Sequence, residues 1–160
     1  MIRKIDEDIL DKAAFVWNEV VSEGRAFPQT DCLDLNSARA FFSEQTYSGA
    51  LCDDNTGEVL GVYILHPNNV GRCGHICNAS YAVRRGMRGK HLGELLVLDC
   101  SKKAREYGFG ILQFNAVVSS NEPALKLYKR LGFTQLGVIP KGFLNKDGVY
   151  EDIIPHYIEL

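Results

Sequence analysis

The chain has 160 residues, 46% of them hydrophobic and 24% charged. That length suits one domain with a core of its own, and the composition excludes a disordered chain, a collagen-like chain and a coiled coil. With 18 basic and 20 acidic residues the net charge is −2, without the basic excess of a nucleic-acid-binding domain.

Residues 2–5 read as a short opening strand. Asp6 to Asp8 offer caps for a first helix, in which Ile9, Ala13, Val16, Trp17 and Val20 recur at helical spacing and Gly24 marks the stop. Asn36 or Ser37 can cap a second helix running to about Tyr47. Residues 49–53 and 58–66 read as strands joined by the turn Asp54-Asn55-Thr56-Gly57. Residues 67–74 are loop-like, and 75–83 form an apolar run of strand length. After a Gly/Arg-rich turn over 84–91 comes a helix whose Leu92, Leu95, Leu96, Cys100, Ala104 and Tyr107 follow the 3.6-residue period and which Gly108 ends. In a strand over 111–118, Leu112, Phe114, Ala116 and Val118 share one face, with Gln113, Asn115 and Val117 on the other. A helix follows from Pro123 to Arg130, with Gly132 beyond its end. Strands over 133–139 and 150–159, separated by a turn at Lys146-Asp147-Gly148, close the chain. Strands interleaved with helices predict an α/β layered sheet.

Two segments carry chemistry. Arg84-Arg85-Gly86-Met87-Arg88-Gly89-Lys90-His91-Leu92-Gly93 lies between a strand and a helix. Its glycines admit a close backbone approach, and the free N–H groups of a helix's first turn favour an anion such as a pyrophosphate. It is neither a P-loop nor a dinucleotide fingerprint. A solvated basic turn that caps a helix, or a nucleic-acid patch, are the other readings of the same residues. In the second segment, Asn121, Ala124, Leu125 and Tyr128 fall at i, i+3, i+4 and i+7, so a polar cap and a phenol share one helix face.

Together these segments resemble the GCN5-related N-acetyltransferase (GNAT) superfamily. Its pyrophosphate pattern, Arg/Gln-x-x-Gly-x-Gly/Ala, is matched by Arg88, His91 and Gly93, with His91 in place of the middle glycine. Its later pattern is matched by Asn121, Ala124, Tyr128, Arg130, Gly132 and Phe133. The element order fits nearly the whole chain. The resemblance implies a single-domain α/β fold over residues 1–160, a GNAT-like mixed, mostly antiparallel sheet flanked by helices. It also implies acetyl-CoA as co-substrate. The cofactor would lie on the backbone of Arg88, Gly89, Lys90, His91, Leu92 and Gly93, along the strand ending Tyr81-Ala82-Val83, and against Asn121 and Ala124. In the family the N–H matching that of Val83 polarises the thioester carbonyl. A narrower resemblance, through residues 71–79, Asn115 and Asn121, is to fungal N-acetyltransferases acting on proline analogues such as azetidine-2-carboxylate. There the asparagines matching Asn78 and Asn115 hold the substrate, and the one matching Asn121 contacts coenzyme A.

Acetyl transfer to an amine needs a proton donor for the departing thiolate, and Tyr128 suits that role. The strand over 75–83 has no carboxylate to deprotonate the amine. Asn78 and Asn115 cannot act as bases, but they can orient a small amine and an ordered water, or else satisfy their own backbone. Glu122 or His75 could supply the base instead. Cys73, His75 and Cys77 alternate along one predicted face, yet no second ligand cluster follows at finger spacing, so no metal is expected.

The favoured reading is direct transfer from acetyl-CoA to a small, amino-acid-like amine. The alternatives are a non-catalytic acyl-CoA-binding or sensing module, or an acetyltransferase acting on a protein or peptide N-terminus. Five cysteines, an odd count, argue against a complete disulfide framework. No apolar run approaches the ~18 residues of a membrane span, and the N-terminus lacks the apolar stretch of a secretory signal. A cytoplasmic protein with no nucleic-acid or membrane partner is therefore expected. Members of the family often form homodimers through their closing strands.

Overall fold

The computed structural model describes all 160 residues. The elements are β1 (Ile2–Lys4), α1 (Leu10–Glu23), α2 (Leu35–Ser43), β2 (Tyr47–Cys52), β3 (Val59–Pro67), β4 (Ile76–Val83), α3 (Leu92–Glu106), β5 (Ile111–Val118), α4 (Glu122–Arg130), β6 (Thr134–Gln135), β7 (Ile139–Leu144) and β8 (Tyr150–Glu159). The strands build one sheet in the order β1-β2-β3-β4-β5-β8-β6, with β7 also on β8, and only β4 and β5 run parallel. The mixed, mostly antiparallel sheet expected above is therefore observed.

The period-two alternation of the central strands feeds two cores, one on each face of the sheet. On one face, α1 and α2 cover Val62, Ile64 and Ala82, with Trp17 packed at tilted and edge-on angles among Phe27, Phe41 and Phe42. On the other, α3 and α4 cover Tyr63, Leu65, Cys77, Ala79, Leu112 and Phe114. The glycine at 61 lets α3 settle close to the sheet: a Cβ there would stand 2.9 Å from Leu96 Cδ1 and 3.1 Å from the Ala82 carbonyl.

Several local expectations shift. α1 begins from Ile9 with no side-chain cap, so Asp6 and Asp8 do not close it. α2 is capped by Asp34, not by Asn36 or Ser37. The Asp34 carboxylate accepts from the Ser37 N–H at 2.7 Å and the Ser37 hydroxyl accepts from the Asp34 N–H at 2.9 Å, a reciprocal capping box. The same helix ends at Ser43, because Tyr47 is taken into β2. Leu95 of α3 and Tyr107 just beyond its end are exposed, and Val97 joins Leu96, Cys100 and Ala104 in the core. A register shift in β5 between Phe114 and Val117 turns Val117, rather than Ala116, toward Leu112 and Phe114. The single strand expected over 133–139 is two pieces. Gly137, at φ +138°, breaks the run, and β6 and β7 then pair with different ends of β8.

One feature of the sheet positions the site. The parallel β4–β5 pairing covers only Ile76↔Ile111 and Cys77↔Leu112, and the two strands diverge beyond it. The fork lies at the centre of the sheet and opens toward the N-terminus of α3.

Candidate active site

The turn between β4 and α3 is shaped by left-handed residues. Gly86, Gly89 and His91 have φ of +80°, +79° and +59°. This winding separates the N–H groups of residues 88–93 from any carbonyl: none of the six donates to a protein acceptor. Six consecutive unpaired donors at a helix N-terminus form a concave anion site, strengthened by the helix dipole. A Cβ at Gly93 would meet only Leu127 at 3.6 Å and Val83 at 4.0 Å. The protein itself therefore leaves that approach open.

α1 holds the turn in place. Glu19 accepts from the Arg85 N–H at 2.8 Å, and Glu23 pairs with Arg85 at 3.3 Å and Arg88 at 2.8 Å. Neither glutamate was singled out from the sequence, because the contact spans more than 60 positions. Arg84 turns away to Glu58 at 2.8 Å and leaves the anion site to its neighbours. Across the mouth, Glu94 pairs with Arg130 of α4 at 2.6 Å.

Below the turn lies a cleft of about 560 Å3, walled by β4, the start of α3 and the inner face of α4. Tyr81, Val83, Arg88, Leu92, Asn121 and Tyr128 all line it. Lys90 lies off this wall, and the Ala82 side chain is buried in the opposite core, so those two positions offer the cleft only backbone. Arg84 donates its N–H to the Leu60 carbonyl across the antiparallel β3–β4 pair. By alternation Tyr81 and Val83 aim their N–H groups at the other edge of β4, where β5 has already diverged.

α4 starts at Asn121, whose side-chain oxygen accepts from the Ala124 N–H at 3.4 Å. One helical face then carries Asn121, Ala124 and Tyr128 into the cleft, while Leu125, expected on the same face, packs against the core instead. The Tyr128 ring rests against Phe114 at 4.6 Å, Phe133 at 5.4 Å and His156 at 5.6 Å. Its hydroxyl has no protein partner. Burial, and after it the nearby Cys100 thiol, raise its pKa above the ordinary phenol value, so the proton stays on oxygen. Burial also pushes the Cys77 thiol up to about 12 and raises that of Cys100. Both remain neutral and unreactive.

Asn78 and Asn115 sit on the sheet face opposite Tyr128 and flank the fork. Asn78 Oδ1 accepts from the Ala79 N–H at 2.7 Å. Asn115 exchanges two hydrogen bonds with Asn68, of 2.7 and 3.2 Å, and its Oδ1 also accepts from Gln113 at 3.0 Å. Asn78 and Asn115 do not bond to each other. Asn68 and Gln113 complete this amide cluster. Asn68 lies 47 positions from Asn115, and only the loop-rich composition of 67–74 hinted at its setting. His75 begins the far end of β4, about 25 Å from Val83 at the usual strand rise. Glu122 pairs with Lys126 at 3.0 Å. Cys73 lies in a single helical turn over Gly71–Cys73, and the buried Cys77 donates to the Ile111 carbonyl, so Cys73, His75 and Cys77 do not share a strand face.

This geometry can hold a phosphate-bearing thioester along a forked sheet. Residues 13–133 match the family model described as Acetyltransferase (GNAT) family. The N-acetyltransferase aca1 of Schizosaccharomyces pombe is 29% identical over 151 residues, covering 85% of this chain and 72% of that protein. An L-methionine sulfoximine/L-methionine sulfone acetyltransferase of Pseudomonas aeruginosa is 30% identical over 132 residues, covering 79% of this chain and 75% of its own. The structure of a GCN5-related N-acetyltransferase from Kribbella flavida superposes with a TM-score of 0.89 at 28% identity, covering 100% of this chain and 97% of that one. The chain belongs to the GNAT family of acetyltransferases, and it is an N-acetyltransferase.

Proposed function

We propose that the protein moves the acetyl group of acetyl-CoA directly onto the amine of a small, amino-acid-like acceptor. The observation that carries this reading is the run of six unpaired N–H groups at residues 88–93, opening onto a cleft that contains an unpartnered phenol. The cofactor supplies an activated thioester. Residues 88–93 would take its pyrophosphate, and Tyr81 and Val83 would pair with its arm as an added strand. The Val83 N–H, facing the gap, would donate a hydrogen bond to the carbonyl oxygen as negative charge gathers there during attack by the amine. As the carbon–sulfur bond breaks, the Tyr128 hydroxyl gives its proton to the leaving sulfur and is later reprotonated from solvent. The proton lost by the amine passes to a water oriented by the asparagines. The neutral, buried Cys77 and Cys100 favour transfer without a covalent enzyme intermediate.

The amide cluster supports the choice of acceptor. Asn115 Oδ1 is filled by Asn68 and Gln113, and one of its N–H bonds is used, so it offers one N–H outward. Asn78 Oδ1 is filled by its own chain, leaving two more donors. Outward N–H donors suit a carboxylate, the group that an amino acid carries beside its amine. The Pseudomonas relative is named for amino-acid analogues. A thiol-release assay with acetyl-CoA tests the reading on amino acids, proline analogues, their decarboxylated amines and short peptides. Turnover is expected on an amino acid, with kcat/KM at least tenfold lower on its decarboxylated partner. Turnover confined to peptide N-termini would overturn it.

Two further features belong to the proposal. The five free cysteines support a reducing, cytoplasmic setting. The exposed Leu136, Val138, Ile139 and Leu144 around β6 and β7 support a homodimer through the closing strands.

A further inference from the structure

Only two buried side-chain polar atoms in the protein lack a hydrogen-bond partner, the Tyr81 hydroxyl and His156 Nε2. Tyr81 and Tyr128 line the same cleft, one from β4 and one from α4. Both rings pack on Phe114, at 5.6 and 4.6 Å between centroids. Burial, and after it the Cys100 thiol, hold the proton on both hydroxyls; on Tyr81 the Tyr128 phenol adds to the effect. The two phenols therefore converge beside one thiol, itself only a weak donor and acceptor. Tyr63 of β3 is the contrast. Its ring is equally buried, but its hydroxyl donates to the Asp99 carboxylate at 2.6 Å. An orphaned buried hydroxyl weakens a fold, so the one on Tyr81 calls for a partner that the resting protein does not present.

The reaction creates such a partner. When Tyr128 gives its proton to the leaving sulfur, its O–H bond breaks, an S–H bond forms, and the electron pair stays on the phenolate oxygen. Charge on a buried oxygen is costly unless a donor meets it, and a hydrogen bond to an ionised acceptor is about twice as strong as one to a neutral acceptor. A donor already in place needs no reorganisation at that moment. We infer that Tyr81 is a positioning residue for the acid: its hydroxyl donates a hydrogen bond to the Tyr128 oxygen as that oxygen becomes phenolate. The Tyr81 proton stays on its own oxygen throughout, and Tyr128 is reprotonated from solvent afterwards. The inference rests on the reading of Tyr128 as the acid. Removing the Tyr81 hydroxyl should therefore help the fold and slow the chemistry.

Tyr81→Phe, Tyr128→Phe and the double variant test this, by thermal melts, calorimetric titration of acetyl-CoA, and thiol release with the best acceptor among the amino acids, proline analogues, amines and peptides above. Tyr81→Phe should melt at or above the wild-type temperature, bind acetyl-CoA within about twofold of wild type, and lose about tenfold in kcat, the range of one hydrogen bond to a charged group. KM for the acceptor should hardly move. In the Tyr128→Phe background the same substitution should cost less than about twofold, because the oxygen it serves is gone. An unchanged kcat in Tyr81→Phe would overturn the inference. So would equal losses in both backgrounds, which would mark a packing role, or a loss confined to acetyl-CoA affinity, which would mark a cofactor contact. If Tyr128→Phe itself keeps full kcat, the acid reading fails and this inference falls with it.

Discussion

Tyr128 combines two properties that an acid for a departing thiolate needs: its hydroxyl is unpartnered beside the cleft, and burial holds its proton in place. Tyr128→Phe should lower kcat by about a hundredfold or more while leaving the acetyl-CoA Kd within about twofold, as steady-state kinetics and calorimetry would show. The sign of its pKa shift gives a second check. A raised phenol pKa extends the protonated, active form to higher pH, so Tyr128 should cause no alkaline loss of kcat below its ordinary value of about 10. A limb that lies lower and disappears in the phenylalanine variant would contradict the assignment. Asn115→Ala removes one outward donor and leaves Asn68 unpaired. It should raise KM for a carboxylate-bearing acceptor about tenfold, with little change for its decarboxylated amine. Tyr128 and Asn121 were legible in the sequence because helical spacing is local. The partners of Asn115 were not, since one of them reaches it from another strand's loop.

Among the elements, the helices were easier to read than their ends. The pairing of Asp34 with Ser37 is an i, i+3 pattern visible in the sequence, yet Asn36 and Ser37 are equally good caps by residue type. Only the direction of the entering chain selects Asp34. Asp34→Ala should lower the melting temperature by a few degrees and leave kcat unchanged. Hydrogen bonds from Ser37 hold the Asp34 carboxyl below its usual pKa. Its contribution is therefore present above the unfolded carboxyl value of about 3.9 and is lost as pH falls through the lowered folded value. A melting curve for the variant that runs parallel to wild type down through that range would contradict this. The β5 bulge and the break at Gly137 escaped prediction for a related reason. Both insert irregularity into an apolar run, and alternation alone cannot register one extra residue.

For the whole molecule, the layered architecture follows from strands that are apolar on both faces, and the fork follows from a parallel pairing that stops after two residues. The outer edge around β6 and β7 leaves four large apolar side chains in solvent. Sedimentation should therefore show a dimer, and charging Leu136 and Val138 to lysine should return monomers whose Kd for acetyl-CoA matches that of the wild type. A wild-type monomer at all concentrations would remove that proposal without touching the site. The central claim is that the backbone of residues 88–93 receives the cofactor. The most direct measurement is the amide spectrum of 15N-labelled protein during titration with acetyl-CoA. The largest shifts are predicted at the amides of residues 88–93 and at Val83, saturating together. Saturable shifts elsewhere, with those seven amides unmoved, would contradict it.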